Sequence, residues 1–116
     1  MNMLQETPAI YVVLHQISED ALQQLFWGME EEGIPFRIST SAENDLRSEA
    51  HQAASLSPLA VGIACNPGEI VLHTRNLSPD TPLFHLILKD QEQDRQLRHL
   101  GCNAARLVKG LPFKPL

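Results

Sequence analysis

Two unbroken apolar runs of strand length constrain this chain more than any other feature: Ala9-Ile10-Tyr11-Val12-Val13-Leu14 and Leu59-Ala60-Val61-Gly62-Ile63-Ala64-Cys65. A strand with one wet face alternates apolar and polar residues, whereas a run that is apolar throughout reads as a strand covered on both faces. The fold therefore has to supply a layer of cover on each side of a sheet, which is the defining demand of an α/β architecture.

The segments around the two runs read accordingly. After the first run, Ser18 stands as an N-cap before Glu19-Asp20, and Leu22, Leu25, Phe26 and Met29 repeat at helical spacing. Gly33 suits the left-handed position that closes this helix, and Pro35 bars its continuation, so Phe36-Arg37-Ile38 reads as a second strand. Ser39 to Asn44 is polar and offers caps for a second, weaker helix over Leu46–Leu56, which carries Leu46, Ala50, Ala53 and Ala54 and stops at Pro58. Asn66-Pro67-Gly68 is a turn signal joining the second apolar run to Ile70-Val71-Leu72-His73 as a hairpin. A strand at Leu83–Leu88 precedes Asp90-x-x-Gln93, a capping-box-like start for a long last helix with Leu97, Leu100, Ala104, Leu107 and Val108. Gly101 lies on that apolar stripe, where it is expected to permit close helix–sheet packing.

The order is β-α-β-α-β-β-β-α, a layered sandwich with a mixed, mostly parallel sheet and flanking helices. A chain of 116 residues, 43% of them hydrophobic, fills one core and not two. Residues 1–7 read as a frayed start and 8–116 as a single domain. Nine basic against fourteen acidic residues leave a net charge of −5, the wrong sign for a general nucleic-acid binder. No apolar run approaches the length of a membrane helix, and Met1 to Pro8 has the form of neither part of a signal peptide, so a cytosolic protein is expected. Cys65 and Cys102 lie far apart with no CxxC or nearby CxxH, and are expected to be reduced and mostly buried.

The chemistry a small α/β domain often carries is missing. The first strand–helix connection, His15-Gln16-Ile17-Ser18, has no glycine with which to cradle a phosphate, and no carboxylate follows the first or third strand to hold magnesium as in a receiver domain. Nothing in the spacing joins Cys65 or Cys102 to any of the five histidines as a nucleophile and base. His73 and His85 fall on adjacent strands as possible neighbours, but two histidines without a third ligand make a poor metal signal.

Charge is more informative. Glu30-Glu31-Glu32 ends the first helix, where the macrodipole is negative and each carboxylate is disfavoured by about 0.3–1 kcal/mol at low salt. Either the acids are simply solvated, or a cation compensates them: the protein's own basic residues, a partner's, or a metal ion. Helical phase sets Trp27 opposite Leu22, Leu25, Phe26 and Met29, with Glu31 one turn later. Such an indole is either a binding hot spot or is covered by another layer of the domain. On the last helix Arg95, Arg98, Arg106 and Lys109 gather opposite the apolar stripe, to be solvated, to satisfy the glutamates, or to meet an acidic partner.

Three segments together also resemble a known family, the small subunit of diol/glycerol dehydratase reactivases: Trp27-Gly28-Met29-Glu30-Glu31-Glu32-Gly33-Ile34-Pro35-Phe36, then Ser57-Pro58-Leu59-Ala60-Val61-Gly62-Ile63-Ala64-Cys65, then Leu97-Arg98-His99-Leu100-Gly101-Cys102-Asn103-Ala104-Ala105-Arg106-Leu107-Val108-Lys109-Gly110. The likeness runs from about Pro8 onward and skips a stretch from about Thr40 to Gln52. It implies a non-catalytic subunit with the fold of the dehydratase's own small subunit, in a complex whose large subunit carries ATP. That complex would release damaged adenosylcobalamin from the dehydratase by subunit exchange. The resemblance also implies a magnesium ion at the large-subunit boundary with Glu31 as ligand, and a cytoplasmic protein associated with a microcompartment. Together with helical phase it gives a partner interface of Trp27, Glu30, Glu31, Glu32, Arg98, Arg106 and Lys109. No cofactor bound by this chain alone, no nucleic acid and no membrane is expected. The nearest competitors are a small subunit of the dehydratase itself, disfavoured by the short segment before the first strand, and an independent cysteine or histidine enzyme.

Overall fold

The computed structural model describes residues 7–43, 45–88 and 93–116. Strands β1 (Ile10–Leu14), β2 (Phe36–Thr40), β3 (Val61–Asn66), β4 (Glu69–Thr74) and β5 (Phe84–Ile87) and helices α1 (Gln23–Glu31), α2 (Leu46–Leu56) and α3 (Gln93–Lys109) follow the expected order. The sheet order is β2-β1-β3-β4-β5. β1 pairs in parallel with β2 and β3, while β4 is antiparallel to both β3 and β5. Half the pairings are thus parallel, yet every strand but β4 runs in the same direction. From β1 the chain steps outward to β2, then back past β1 to β3. Right-handed crossovers in opposite directions place their helices on opposite faces, so α1 lies on one side of the sheet and α2 on the other.

The pleat sorts the apolar runs between these layers. Ile10, Val12, Leu14, Ile63 and Cys65 face α1 and α3, meeting Leu25, Met29, Leu97 and Leu100. Val13, Ala64 and Val71 face α2 and meet Leu46 and Ala50. Helix α2 sits directly on β3, since a Cβ on Gly62 would stand 2.5 Å from the Ala50 carbonyl oxygen and 2.3 Å from the Ala54 nitrogen. A helix surfaced with alanines over a strand glycine explains why α2 needs so few large side chains.

Several boundaries differ from expectation for local reasons. Helix α1 is preceded by a 3-10 turn at Asp20–Leu22, into which the Ala21 N–H donates weakly to Ser18 Oγ at 3.4 Å. β2 runs on through Ser39 and Thr40, because the parallel ladder with β1 continues to a Ser41 N–H bond to the Leu14 carbonyl at 2.9 Å. The cap of α2 is Asp45, which accepts from the Ser48 N–H at 3.4 Å. β3 starts at Val61 because Ser57 to Ala60 closes a turn, with Ala60 at φ +64° and Ser57 Oγ donating to the Ala9 carbonyl at 2.6 Å. In the hairpin, Asn66 Oδ1 accepts from the Gly68 and Glu69 N–H groups at 2.9 and 2.8 Å. Gly33 takes the left-handed conformation at φ +77°. Of the expected frayed start at residues 1–7, all but Thr7 lie outside the described residues, as does the Asp90 of the expected cap.

One packing assignment is corrected. Gly101 makes its close approach to α1 and not to the sheet: a Cβ there would lie 2.0 Å from the Leu25 carbonyl oxygen and 3.2 Å from Gly28 Cα. Gly28 reciprocates, with a Cβ that would lie 2.3 Å from the Arg98 carbonyl oxygen. The two helices therefore cross backbone to backbone. Gly28→Ala or Gly101→Ala is expected to destabilise the fold by about 3 kcal/mol, the upper end for overpacking. Gly33→Ala, with nothing within 4 Å of its added methyl, should cost only about 1 kcal/mol for the left-handed backbone. Urea denaturation of the three variants ranks them, and equal losses would refute the close-crossing account.

Candidate partner-binding face

The crossing of α1 and α3 brings the acidic end of the one against the basic stripe of the other. Arg98 Nε donates to Glu31 Oε1 at 3.0 Å, and its Nη1 reaches Gln24 Oε1 at 3.1 Å. Arg106 Nε donates to Glu32 Oε2 at 3.0 Å. Lys109 Nζ donates both to Glu32 Oε1 at 2.8 Å and to the Glu32 backbone carbonyl at 2.7 Å. The last of these places an ammonium on an orphan carbonyl at the end of α1, which offsets the dipole as well as the carboxylate. Of the compensations open to the sequence, the protein's own basic residues are the ones the fold uses for Glu31 and Glu32.

The three glutamates consequently differ. Glu32 is largely covered, its side chain 11% exposed, and hydrogen bonds from Lys109 and then Arg106 hold its carboxyl below the ordinary value of 4.5. Glu31 is 46% exposed and is held low by Arg98 first, then by the Cys102 thiol, whose Sγ donates to Oε1 at 3.5 Å. Glu30 is exposed and has no ion-pair partner among the described residues. Trp27, one turn before Glu31, is 44% exposed. The open part of this face is therefore Trp27, Glu30 and Glu31, while Glu32, Arg106 and Lys109 are committed to one another.

The basic stripe also divides in a way that helical phase alone did not show. Arg95 turns from the glutamates to the chain beyond α3, where its Nη2 donates to the Leu116 carbonyl at 3.0 Å. His99 Nδ1 bonds the Pro115 carbonyl at 2.8 Å, and the buried Asn103 both donates to the Lys114 carbonyl at 2.9 Å and accepts from its N–H at 2.6 Å. With Arg106 Nη1 on the Pro112 carbonyl and Phe113 edge-on to Phe84, residues 112–116 run back along α3. This strap was not anticipated from the sequence; it is the fold that buries the Asn103 amide fully, and a buried amide has to find partners.

The other candidate groups stay apart. His73 is buried against His51, its ring 5.0 Å away, and its Nε2 donates to the Pro79 carbonyl at 3.3 Å. His85 instead meets Glu69 at 2.6 Å, so the expected histidine neighbours have separate partners. Cys65 and Cys102 are free and buried, and burial pushes both thiols up, against nucleophilic use. No three of His, Cys, Asp and Glu gather to hold a metal among the described residues. Both contacts of Glu31 fall on Oε1, which leaves Oε2 able to serve as one hard-oxygen ligand.

The chain is a small three-layer α/β domain that presents an indole and carboxylates from a neutralised helix pair. The profile of the dehydratase medium subunit family matches residues 7–114. The chain is 43% identical to a diol dehydratase-reactivating factor small subunit of Klebsiella michiganensis, over all of this chain and 91% of that one. It is 42% identical to a propanediol dehydratase-reactivating factor small subunit of Salmonella typhimurium, over all of this chain and 98% of the relative. Among solved structures it superposes on a diol dehydratase-reactivating factor complexed with ADP and Mg2+ with a TM-score of 0.87 at 40% identity, covering 95% of this chain and 100% of that one. A glycerol dehydratase reactivase gives 0.85 at 36% identity, over 94% and 98%. The chain belongs to the dehydratase medium subunit family and, within it, to the small subunits of diol and glycerol dehydratase-reactivating factors.

The lowered carboxyls make stability depend on pH in a definite direction. A group whose folded pKa lies below its unfolded one contributes stability that is complete above the unfolded value, here 4.5, and is lost as pH falls through the folded value. The urea midpoint is expected to fall below that pH, and in Lys109→Met to fall less steeply relative to its own neutral value. An unchanged acid slope in the variant would mean that the Glu32 pairing contributes nothing to folding.

Proposed function

We propose that the Trp27–Glu30–Glu31 face docks this chain onto a large ATP-hydrolysing subunit, and that the pair reactivates diol or glycerol dehydratase whose adenosylcobalamin has been damaged. The observation that carries the reading is likeness to reactivating factor small subunits over the whole of this chain, combined with an exposed tryptophan beside carboxylates. Trp27 supplies rigid apolar area with a polar edge, and the internally paired Glu32, Arg106 and Lys109 hold the helix ends still, so little ordering remains to be done on binding. Arg98 pins one oxygen of Glu31 and so aims the other outward, at a magnesium ion shared with the large subunit. In this reading the chain performs no chemistry. It exchanges with a similarly folded dehydratase subunit, and that exchange opens the dehydratase for cobalamin to leave.

A second reading, a structural subunit of the dehydratase itself, draws on the family profile, which describes a dehydratase subunit. Restored turnover of inactivated dehydratase on adding this chain, its large subunit, ATP, magnesium and fresh cofactor separates the two. Trp27→Ala and Glu31→Ala are each expected to weaken association with the large subunit by roughly 30-fold, the scale of an interface hot spot, read by titration calorimetry and size exclusion. Undiminished complexes in both variants would reject this face.

A further inference from the structure

Four side chains at the α1/α3 crossing, Gln24, Arg98, Cys102 and Glu31, form one hydrogen-bonded relay that ends on a single carboxylate oxygen. Arg98 spans two turns of α1, with Nε on Glu31 Oε1 at 3.0 Å and Nη1 on Gln24 Oε1 at 3.1 Å. Cys102, one turn further along α3, donates its thiol to the same Glu31 oxygen at 3.5 Å. The close approach beneath places all four. A Cβ on Gly28 would run into the Arg98 carbonyl oxygen and the Cys102 nitrogen, so Gln24 and Glu31, one turn before and one turn after Gly28, come within reach of α3.

Chemistry settles which partner donates in each bond. A guanidinium has donors and no acceptor, so Gln24 presents its carbonyl oxygen to Arg98. Burial pushes the Cys102 thiol up, which keeps its proton in place at neutral pH to be donated. Glu31, held low by Arg98 first and Cys102 second, is the ionised acceptor, and Lys114 on the returning strap adds positive charge nearby through charge alone. Every donor therefore converges on Oε1. Oε2 has no hydrogen-bond partner among the described residues, on a side chain that is 46% exposed.

Glutamate is among the side chains that lose the most rotamer freedom when fixed, and an exposed ion pair on its own holds little. The Arg98–Glu31 pair is of that kind, with side chains 37% and 46% exposed. A guanidinium bonded at one nitrogen alone is free to swing, and its bond to Gln24 stops that motion. The thiol, as a second donor to Oε1, keeps the carboxylate from turning its other oxygen to Arg98. A ligand fixed in this way before it binds has less ordering left to do.

We propose that Gln24 and Cys102 are positioning residues for a divalent cation at Glu31: Gln24 locks the Arg98 guanidinium, Cys102 supplies the second donor, and Glu31 thereby keeps Oε2 free for the cation. Neither residue touches the cation; each acts through Glu31. The cation is the one in the function proposed above, on which this assignment rests, whereas the relay of hydrogen bonds does not depend on it.

Two measurements test the assignment. In the first, exchange of the Arg98 Nε–H with water is followed by NMR on the 15N-labelled chain. Gln24→Leu should speed it about tenfold, the scale of one lost hydrogen bond to a charged group, and unchanged exchange overturns the lock. In the second, the nucleotide-free complex of this chain with its large subunit is titrated with Mn2+ and followed by electron paramagnetic resonance, the binding that Glu31→Gln abolishes being that of the site. Gln24→Leu and Cys102→Ala should each weaken that binding about tenfold, the lower end for losing a residue behind a metal ligand. Cys102→Ser, which keeps a donor, should recover most of the loss. Leu107→Ala, which loosens the packing of α3 on the core without touching the relay, should bind Mn2+ like the wild type. Wild-type affinity in Gln24→Leu or in Cys102→Ala removes that residue's role, and no recovery in Cys102→Ser or an equal loss in Leu107→Ala overturns positioning as the cause. If the complex assembles and Trp27→Ala weakens it, yet no Mn2+ binding depends on Glu31, the cation assignment falls while the docking face stands. If the chain does not associate with the large subunit at all, the function proposed above fails and this assignment fails with it.

Discussion

Much of this molecule depends on one contact, the backbone-to-backbone crossing of α1 and α3 at Gly28 and Gly101. With side chains at either position the helices would stand further apart, and the reach from Arg98 to Glu31 and from Lys109 to the Glu32 carbonyl, now 2.7–3.0 Å, would be lost. The glycines do nothing for helix propensity, and each costs about 1 kcal/mol against alanine in an exposed helix. What offsets that is the apolar layer beneath, where Leu25, Met29, Leu97 and Leu100 close on the sheet, and the charge pairing at the edge of the crossing.

That pairing resolves an apparent conflict. Carboxylates at the negative end of a helix are unfavourable in isolation, yet here a second helix lays three cations along them. Exposed ion pairs contribute little to stability, with a median near zero to about 1 kcal/mol. The arrangement is better understood as positioning: two acids are held still, Glu31 keeps one oxygen free, and the indole of Trp27 stands on the rigid surface beside them. The strap of residues 112–116 extends the same economy, using the far side of α3 to seat the chain through Asn103.

The layers of the sheet then give the molecule two unlike faces. The α1/α3 side is sealed, and its outer surface is charged and rigid. The α2 side is covered only in its middle, because α2 is drawn down onto Gly62 and lies over β3, leaving β1 and the β2 edge beside an open groove. Both consequences follow from small residues placed where one backbone has to approach another.

The architecture was legible because periodicity and punctuation are local. The apolar runs, the Gly33 stop, the Asn66-Pro67-Gly68 turn and the spacing of Leu97, Leu100 and Ala104 are read within a few residues and place every strand and helix. So is the phase that turns Trp27 outward. What the sequence did not determine is which helix surfaces meet: Gly101 sits on an apolar stripe whether its neighbour is a sheet or a helix, and Arg95 shares a stripe with Arg98 until the returning chain claims it. Likewise Glu49 is one polar residue of a weak helix until Ser41, eight positions earlier, is brought beneath it by the end of β2. Secondary structure follows from interactions a few residues apart, whereas partners for charge and close approaches of backbone arise between segments as many as 77 residues apart, and only the assembled layers bring those together.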